Sequence, residues 1–150
     1  MNRDFVEMLD ALSEAEAEYV VVGAHALAAH GLPRATGDLD ILVRPTPQNA
    51  DRVWSALVTF GAPLTELTRD DLAVPDNVFQ MGVAPCRIDI LTSISGVDFD
   101  EVWRDRIVVK IDERPVPVIG RAALLANKRA TGRPKDLADA AWLESESETA

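Results

Sequence analysis

Residues 19–43 read YVVVGAHALAAHGLPRATGDLDILV and carry two strands separated by a helix. Tyr19-Val20-Val21-Val22 is a short β-branched run that ends at Gly23. The alanine-rich segment from Ala24 to His30 has high helix propensity up to a stop at Gly31. Leu39, Ile41 and Val43 then alternate with Asp38, Asp40 and Leu42 as far as Pro45, the period of a second strand.

Outward from this stretch, Phe5, Met8, Leu9 and Leu12 recur at helical spacing with Asp4, Glu7, Asp10 and Glu14 on the other face, which predicts an amphipathic opening helix. Thr46 and Pro47 cap a helix running to Phe60, terminated by Gly61-Ala62-Pro63. After an irregular polar stretch, Val78–Val83 and Cys86–Leu91 read as a hairpin joined at Ala84-Pro85. A short helix over Phe99–Arg104 precedes the strand Ile107–Ile111, and Asp112-Glu113-Arg114 turns the chain into Val116-Pro117-Val118, whose prolines suggest a sheet edge. Two helices, Arg121–Ala130 and Pro134–Leu143, close the chain.

The pattern predicts an α/β (α+β) fold: a mixed β-sheet covered by helices, with a C-terminal helical pair. It does not order the strands. One domain over residues 1–143 and an acidic, frayed tail over 144–150 account for the 150 residues. Trp54, Trp103 and Trp142 each fall on an amphipathic helix and read as core packing.

The formal charge of −10 argues against a surface that clings everywhere to nucleic acid, so any such contact is local. Charge is segregated: Met1–Glu18 holds six acids and one base, whereas Arg121–Lys135 holds five bases and no acid. The single cysteine, Cys86, excludes an internal disulfide and fits a cytoplasmic protein; it reads as a small buried hydrophobe. The N-terminus shows no signal segment, and the longest apolar stretch, Tyr19–Leu32, is interrupted by His25 and His30 and is too short for a membrane span. Those histidines are five apart, off the spacing of a helical zinc pair, and read as packing or capping groups.

Asp38 and Asp40 leave the same face of their strand, with Cα atoms about 6.8 Å apart. Asp89 stands between Ile88 and Ile90 in the same apolar-acid-apolar setting. If the two strands are neighbours, three carboxylates converge. Like charges about 4 Å apart at an effective dielectric near 20 repel by about 4 kcal/mol, so a sheltered triad needs a cation or a raised pKa. Magnesium, with manganese as a substitute, suits carboxylate and phosphate oxygens. Gly23, between strand and helix, either forms a simple turn or lets a phosphate approach the backbone. Taken alone, a D-x-D pair on a strand more often reads as a solvated face.

Gly23-Ala24 with Ala26-Leu27, then His30-Gly31, Arg34, Thr36 and Asp38-Leu39-Asp40, resembles the signature of the minimal nucleotidyltransferases, especially the AbiEii-type group of bacterial toxin–antitoxin and phage-defence systems. The likeness continues in Asp89 on a later strand and in Lys128, Arg133-Pro134-Lys135-Asp136 and Asp139 on a helical pair. It covers roughly residues 19–43, 86–92 and 121–143.

The resemblance implies a magnesium-dependent enzyme that moves a nucleoside monophosphate from an NTP to a hydroxyl acceptor. In it Asp38, Asp40 and Asp89 hold the metal, with Asp89 as ligand or general base. Lys128 takes a catalytic role, and Gly23, Ala24, Arg34, Thr36, Arg133, Lys135 and Asp136 lie beside the nucleotide. RNA such as a tRNA end, or a protein side chain, is the implied acceptor, and an antitoxin the implied partner. Arg34 also reads as an ion-pair partner of a nearby acid, and Lys128 as a side chain snorkelling over apolar neighbours. Ala24 departs from the family's glycine or serine, which predicts weaker nucleotide binding. A different class of function, a non-catalytic nucleotide- or protein-binding module on the same fold, is the alternative.

Overall fold

In the computed structural model, residues 1–33, 38–83 and 86–149 are described, with side chains to residue 146. The element order is α1 (Arg3–Glu14), β1 (Tyr19–Val22), α2 (Gly23–Ala29), β2 (Leu39–Val43), α3 (Pro47–Phe60), α4 (Arg69–Leu72), β3 (Val78–Met81), β4 (Ile88–Leu91), α5 (Phe99–Asp105), β5 (Ile107–Ile111), β6 (Arg114–Val118), α6 (Arg121–Thr131) and α7 (Pro134–Thr149). The expected mixed sheet under helices is therefore present.

Local chemistry sets most of these boundaries. Asn2 caps α1 by accepting from the Asp4 amide at 2.7 Å. Thr46 caps α3 by accepting from Asn49 N, and Gly61 ends it in the left-handed conformation at φ 90°. In the stretch that reads as irregular, Thr68 and Asp71 form a capping box and hold the single turn of α4. The helix of α7 continues to Thr149, through the acidic residues read from sequence as a tail.

The sheet has the order β3-β4-β2-β1-β6-β5. β1 and β2 are antiparallel, β2 and β4 parallel, and β3 and β4 form the expected antiparallel hairpin, whose connecting Ala84-Pro85 lies outside the described residues. The edge assigned to Val116-Pro117-Val118 is corrected: β6 lies between β1 and β5, and β5 is the edge. Prolines are tolerated inside the sheet because β1 and β6 pair only at Val21↔Val118, so Pro115 and Pro117 lie where no long ladder asks for their missing N–H.

Leu39, Ile41 and Val43 fill one face of β2 and are fully buried, in a core that also takes Met8, Leu12, Leu57 and Leu124. Trp54, Trp103 and Trp142 pack against that core as partly buried side chains. Asn49, 3% exposed, ties α3 to the strand ends by accepting from Glu18 N and donating to Glu18 O and Arg44 O. Gly120 gives α6 no side-chain cap; Asp105, from the end of α5, supplies one by accepting from Ala123 N at 3.1 Å. This fixes the helix that carries Lys128. Among the described residues no helix is long and apolar enough to cross a membrane.

Candidate active site

The parallel register of β2 and β4 sets Asp40 directly beside Asp89, and the antiparallel register of β1 sets Asp40 opposite Val22, where the chain turns into α2. Asp38 lies two residues before Asp40 and shares its face. The three carboxylates expected to meet therefore lie at one end of the sheet, on one side.

Gly23 has φ +72°, and a Cβ built there would collide with Asp40 Oδ2. Its backbone is left-handed, and it leaves room for an acid from the neighbouring strand, a demand that the turn signal alone does not reveal.

Burial raises the Asp40 carboxyl to about 6, helped by the charge of Asp89, a hydrogen bond with it and the charge of Asp38, and opposed by Arg87. Arg87 is the residue that sequence reasoning missed here. Its Nη2 donates to Asp38 Oδ2 at 3.1 Å and lies 3.5 Å from Asp89 Oδ2, while its Nε is 3.1 Å from Asp89 Oδ1. That last pair is out of line for a hydrogen bond, and neither Nε nor Oδ1 has another hydrogen-bond partner. The available signal was positional: 87 and 89 share a strand face.

Among the described residues, no three His, Cys, Asp or Glu side chains stand in a ready-made metal-binding arrangement. The guanidinium occupies the approach to Asp38 and Asp89 instead.

Facing the sheet is the helical pair. Lys128 of α6 places Nζ 3.4 Å from Asp136 Oδ1 and 3.5 Å from Asp139 Oδ2, and Arg133 Nε donates to Asp136 Oδ2 at 2.6 Å. Asp136 and Asp139 are each 1% exposed. Burial alone would raise Asp136, but hydrogen bonds from Arg133 and Thr131 and the charge of Lys128 hold it down at about 2. Asp136 thus engages cations of its own helical pair. Lys128 is therefore ion-paired to two buried carboxylates of the next helix. The helical spacing of Asp136 and Asp139 was the signal for a second acid on this wall.

A cleft of about 390 Å³ separates the two walls and is lined by Gly23, Ala24, Leu27, Asp38, Asp40, Lys128, Arg133, Lys135, Asp136 and Asp139. Asp89, beside Asp40 on the neighbouring strand, is 7% exposed and does not line the cleft. Arg34 and Thr36 fall outside the described residues. A larger cavity of about 670 Å³ beside β3, β4 and α4 is lined by residues such as Glu66, Asp71, Phe79 and Thr92 and by no basic side chain, so it lacks the paired charges of the smaller cleft.

The two histidines and the cysteine are engaged elsewhere in the fold, although the buried His25 Nε2 has no hydrogen-bond partner. His25 packs edge-on against Phe5, and burial lowers its pKa. His30 Nε2 lies 2.8 Å from Ile119 O. Cys86 is half-buried rather than buried, and its Sγ accepts from Asn2 Nδ2 at 3.1 Å.

No protein-family model and no curated protein matches the chain. Among solved structures, it is similar to a crystal structure described as a "putative nucleotidyltransferase" from Thermotoga maritima. The TM-score is 0.62 and the identity 14%, over 99% of this chain and 92% of that one. At that identity the likeness establishes a nucleotidyltransferase-like fold and does not single out the AbiEii-type group.

Proposed function

We propose that the chain is a magnesium-dependent nucleotidyltransferase that transfers a nucleoside monophosphate from an NTP to a hydroxyl acceptor. The observation that carries this reading is one cleft in which Asp38 and Asp40, backed by Asp89, face Lys128, Arg133 and Lys135. What supports a hard divalent ion at the sheet wall is its carboxylate donors, the Asp89 Oδ1 that lacks a hydrogen-bond partner, and an Asp40 carboxyl pushed up to about 6 by burial and by the neighbouring Asp89 and Asp38. Bound there, magnesium, or manganese in its place, would neutralise charge on the triphosphate.

The residues divide the remaining work. Lys128, Arg133 and Lys135 offset the charge of the departing pyrophosphate, as cationic clamps do in phosphoryl transfer. Asp89 takes the proton of the acceptor hydroxyl as the new oxygen–phosphorus bond forms at the α-phosphorus and the bond to pyrophosphate breaks in line. The proton then passes to solvent. Gly23 leaves room for the Asp40 carboxylate at the start of α2, and Ala24 offers a phosphate only its backbone N–H.

The resemblance to the AbiEii-type group supports an RNA acceptor, such as a tRNA end, and a cytoplasmic toxin restrained by an antitoxin. With a net charge of −10, such an RNA would be held through the α6–α7 wall alone, and its binding would weaken with salt in proportion to few phosphate contacts. A protein side chain is the other acceptor class.

The second reading is a non-catalytic nucleotide- or protein-binding module, favoured by Ala24 and by the guanidinium resting on two of the three acids. The two separate on incubation of α-labelled NTPs, magnesium and the protein with total RNA and with total protein, Asp40→Asn serving as control. Transfer of label with release of pyrophosphate, lost in Asp40→Asn, is expected. Magnesium-dependent NTP binding with no label on any acceptor would establish the module instead, and release of NDP would mark transfer of the γ-phosphoryl group.

A further inference from the structure

Arg87 and Asp89 form an ill-fitting pair. Two residues apart on one strand face, they bring Nε and Oδ1 to 3.1 Å without the alignment of a hydrogen bond, and both atoms are shut off from solvent. A buried acceptor left in this state costs free energy that a better-placed cation would recover. The same guanidinium also holds Asp38 through Nη2 at 3.1 Å. Its side chain is 37% exposed, so it has somewhere to go, whereas that of Asp89, 10% exposed, does not.

We propose that Arg87 is the resident counter-ion of the carboxylate cluster, and that it competes with a divalent cation for Asp38 and Asp89. A cation entering the cluster releases the guanidinium from the sheet. The released group stays on the face that carries Asp38 and Asp40, where an anionic polyphosphate can hold it. Divalent cation and polyphosphate then assist one another, each removing the partner that opposes the other, and the coupling is reciprocal. The inference rests on the metal-dependent reading of the cleft given above.

Calorimetric titration of the full chain with Mn²⁺, without nucleotide, tests the competition. Arg87→Gln is expected to bind Mn²⁺ on the order of tenfold more tightly than wild type, because the competitor is gone. Arg87→Lys, which keeps the charge but loses the fork, should fall between them. Equal or weaker binding by Arg87→Gln would overturn the proposal and make Arg87 a group that orients the carboxylates for the ion. If neither protein binds Mn²⁺, the metal-dependent reading falls along with it.

A second measurement uses only the wild-type fold. The Arg87 Nε–H signal in a ¹H–¹⁵N spectrum, assigned by its loss in Arg87→Lys, should move toward the position of a solvent-exposed arginine on saturation with Mg²⁺. A signal left unmoved while Mg²⁺ binds would equally refute displacement.

Discussion

Asp40→Asn should make the metal-free protein more stable at alkaline pH. Burial and the Asp89 and Asp38 carboxylates raise the Asp40 carboxyl from its ordinary 3.8 to about 6, so the native chain holds this proton more tightly than the unfolded chain does. Between those values the native state carries more protons, and stability falls as the pH rises; above the upper value the ionised group opposes folding in full. At about 1.4 kcal/mol per pH unit, the unscreened cost is on the order of 3 kcal/mol. Asp40 is only half-buried, and solvent screening reduces this to about 1–2 kcal/mol. Asparagine keeps the shape and removes the charge. Urea unfolding followed by tryptophan fluorescence, from about pH 4 to about pH 8 without divalent ions, reads the difference directly. The variant should exceed wild type by about 1–2 kcal/mol at the alkaline end, with the gap closing toward the acid end. Added Mg²⁺ should raise the wild type more than the variant, because an ion that binds only the native state stabilises it. An offset independent of pH, or a less stable variant at about pH 8, would show that neighbouring groups already satisfy the Asp40 carboxylate and would refute the reasoning.

Two further substitutions probe the rest of the cleft. Gly23→Ala combines a left-handed φ of +72° with a Cβ against Asp40 Oδ2, and should destabilise by about 1–3 kcal/mol in thermal melts while weakening NTP binding by calorimetry. An unchanged melt would place Asp40 away from the turn. Asp136→Asn removes a carboxylate held at about 2, below its unfolded value, whose stabilising effect is present above about pH 4 and lost as the pH falls toward 2. That variant should cost about 1–3 kcal/mol at neutral pH and lose the wild type's acid-induced decline in that window, as urea titration at several pH values will show.

The sheet wall of the site was legible because period-two alternation is a local property: Asp38 and Asp40 share a face whatever lies beside them. That Asp89 joins them depends on the parallel pairing of β2 with β4, a contact across about fifty residues that no local pattern encodes. Arg87 was legible only in part: the i, i+2 spacing places it beside Asp89, but its other partner, Asp38, sits by the other strand. The proline-bearing strand misled in the opposite direction. Pro115 and Pro117 do forbid a full ladder, but β1 asks β6 for only one residue pair, so an interior position carries no penalty. The single turn of α4 escaped because four residues have no period; only the Thr68–Asp71 capping box announces it. Lys128 was ambiguous from sequence because basic helical residues commonly cover apolar surface, and the buried Asp136 and Asp139 with which it pairs come from the next helix.

The pairing pattern inside the cleft constrains what can bind there. Both walls already carry counter-ions: Arg87 rests on Asp38 and Asp89, while Lys128 and Arg133 rest on Asp136 and Asp139. An anion that engages more than Lys135 must draw Lys128 or Arg133 away from buried carboxylates, and a divalent cation that engages more than Asp40 must draw Asp38 or Asp89 away from a guanidinium. Each alone leaves a charge without its partner, which is costly where water is partly excluded. A ligand carrying both signs avoids that cost by exchanging partners on both walls at once. A triphosphate bound to a divalent ion has that polarity, the ion toward the sheet and the phosphate oxygens toward α6 and α7. Calorimetry should therefore find the joint affinity for metal and NTP greater than the product of the separate affinities, by the same factor whichever is added first. Independent binding of the two would mean that the internal ion pairs survive ligand entry and that the walls act as rigid scaffolding.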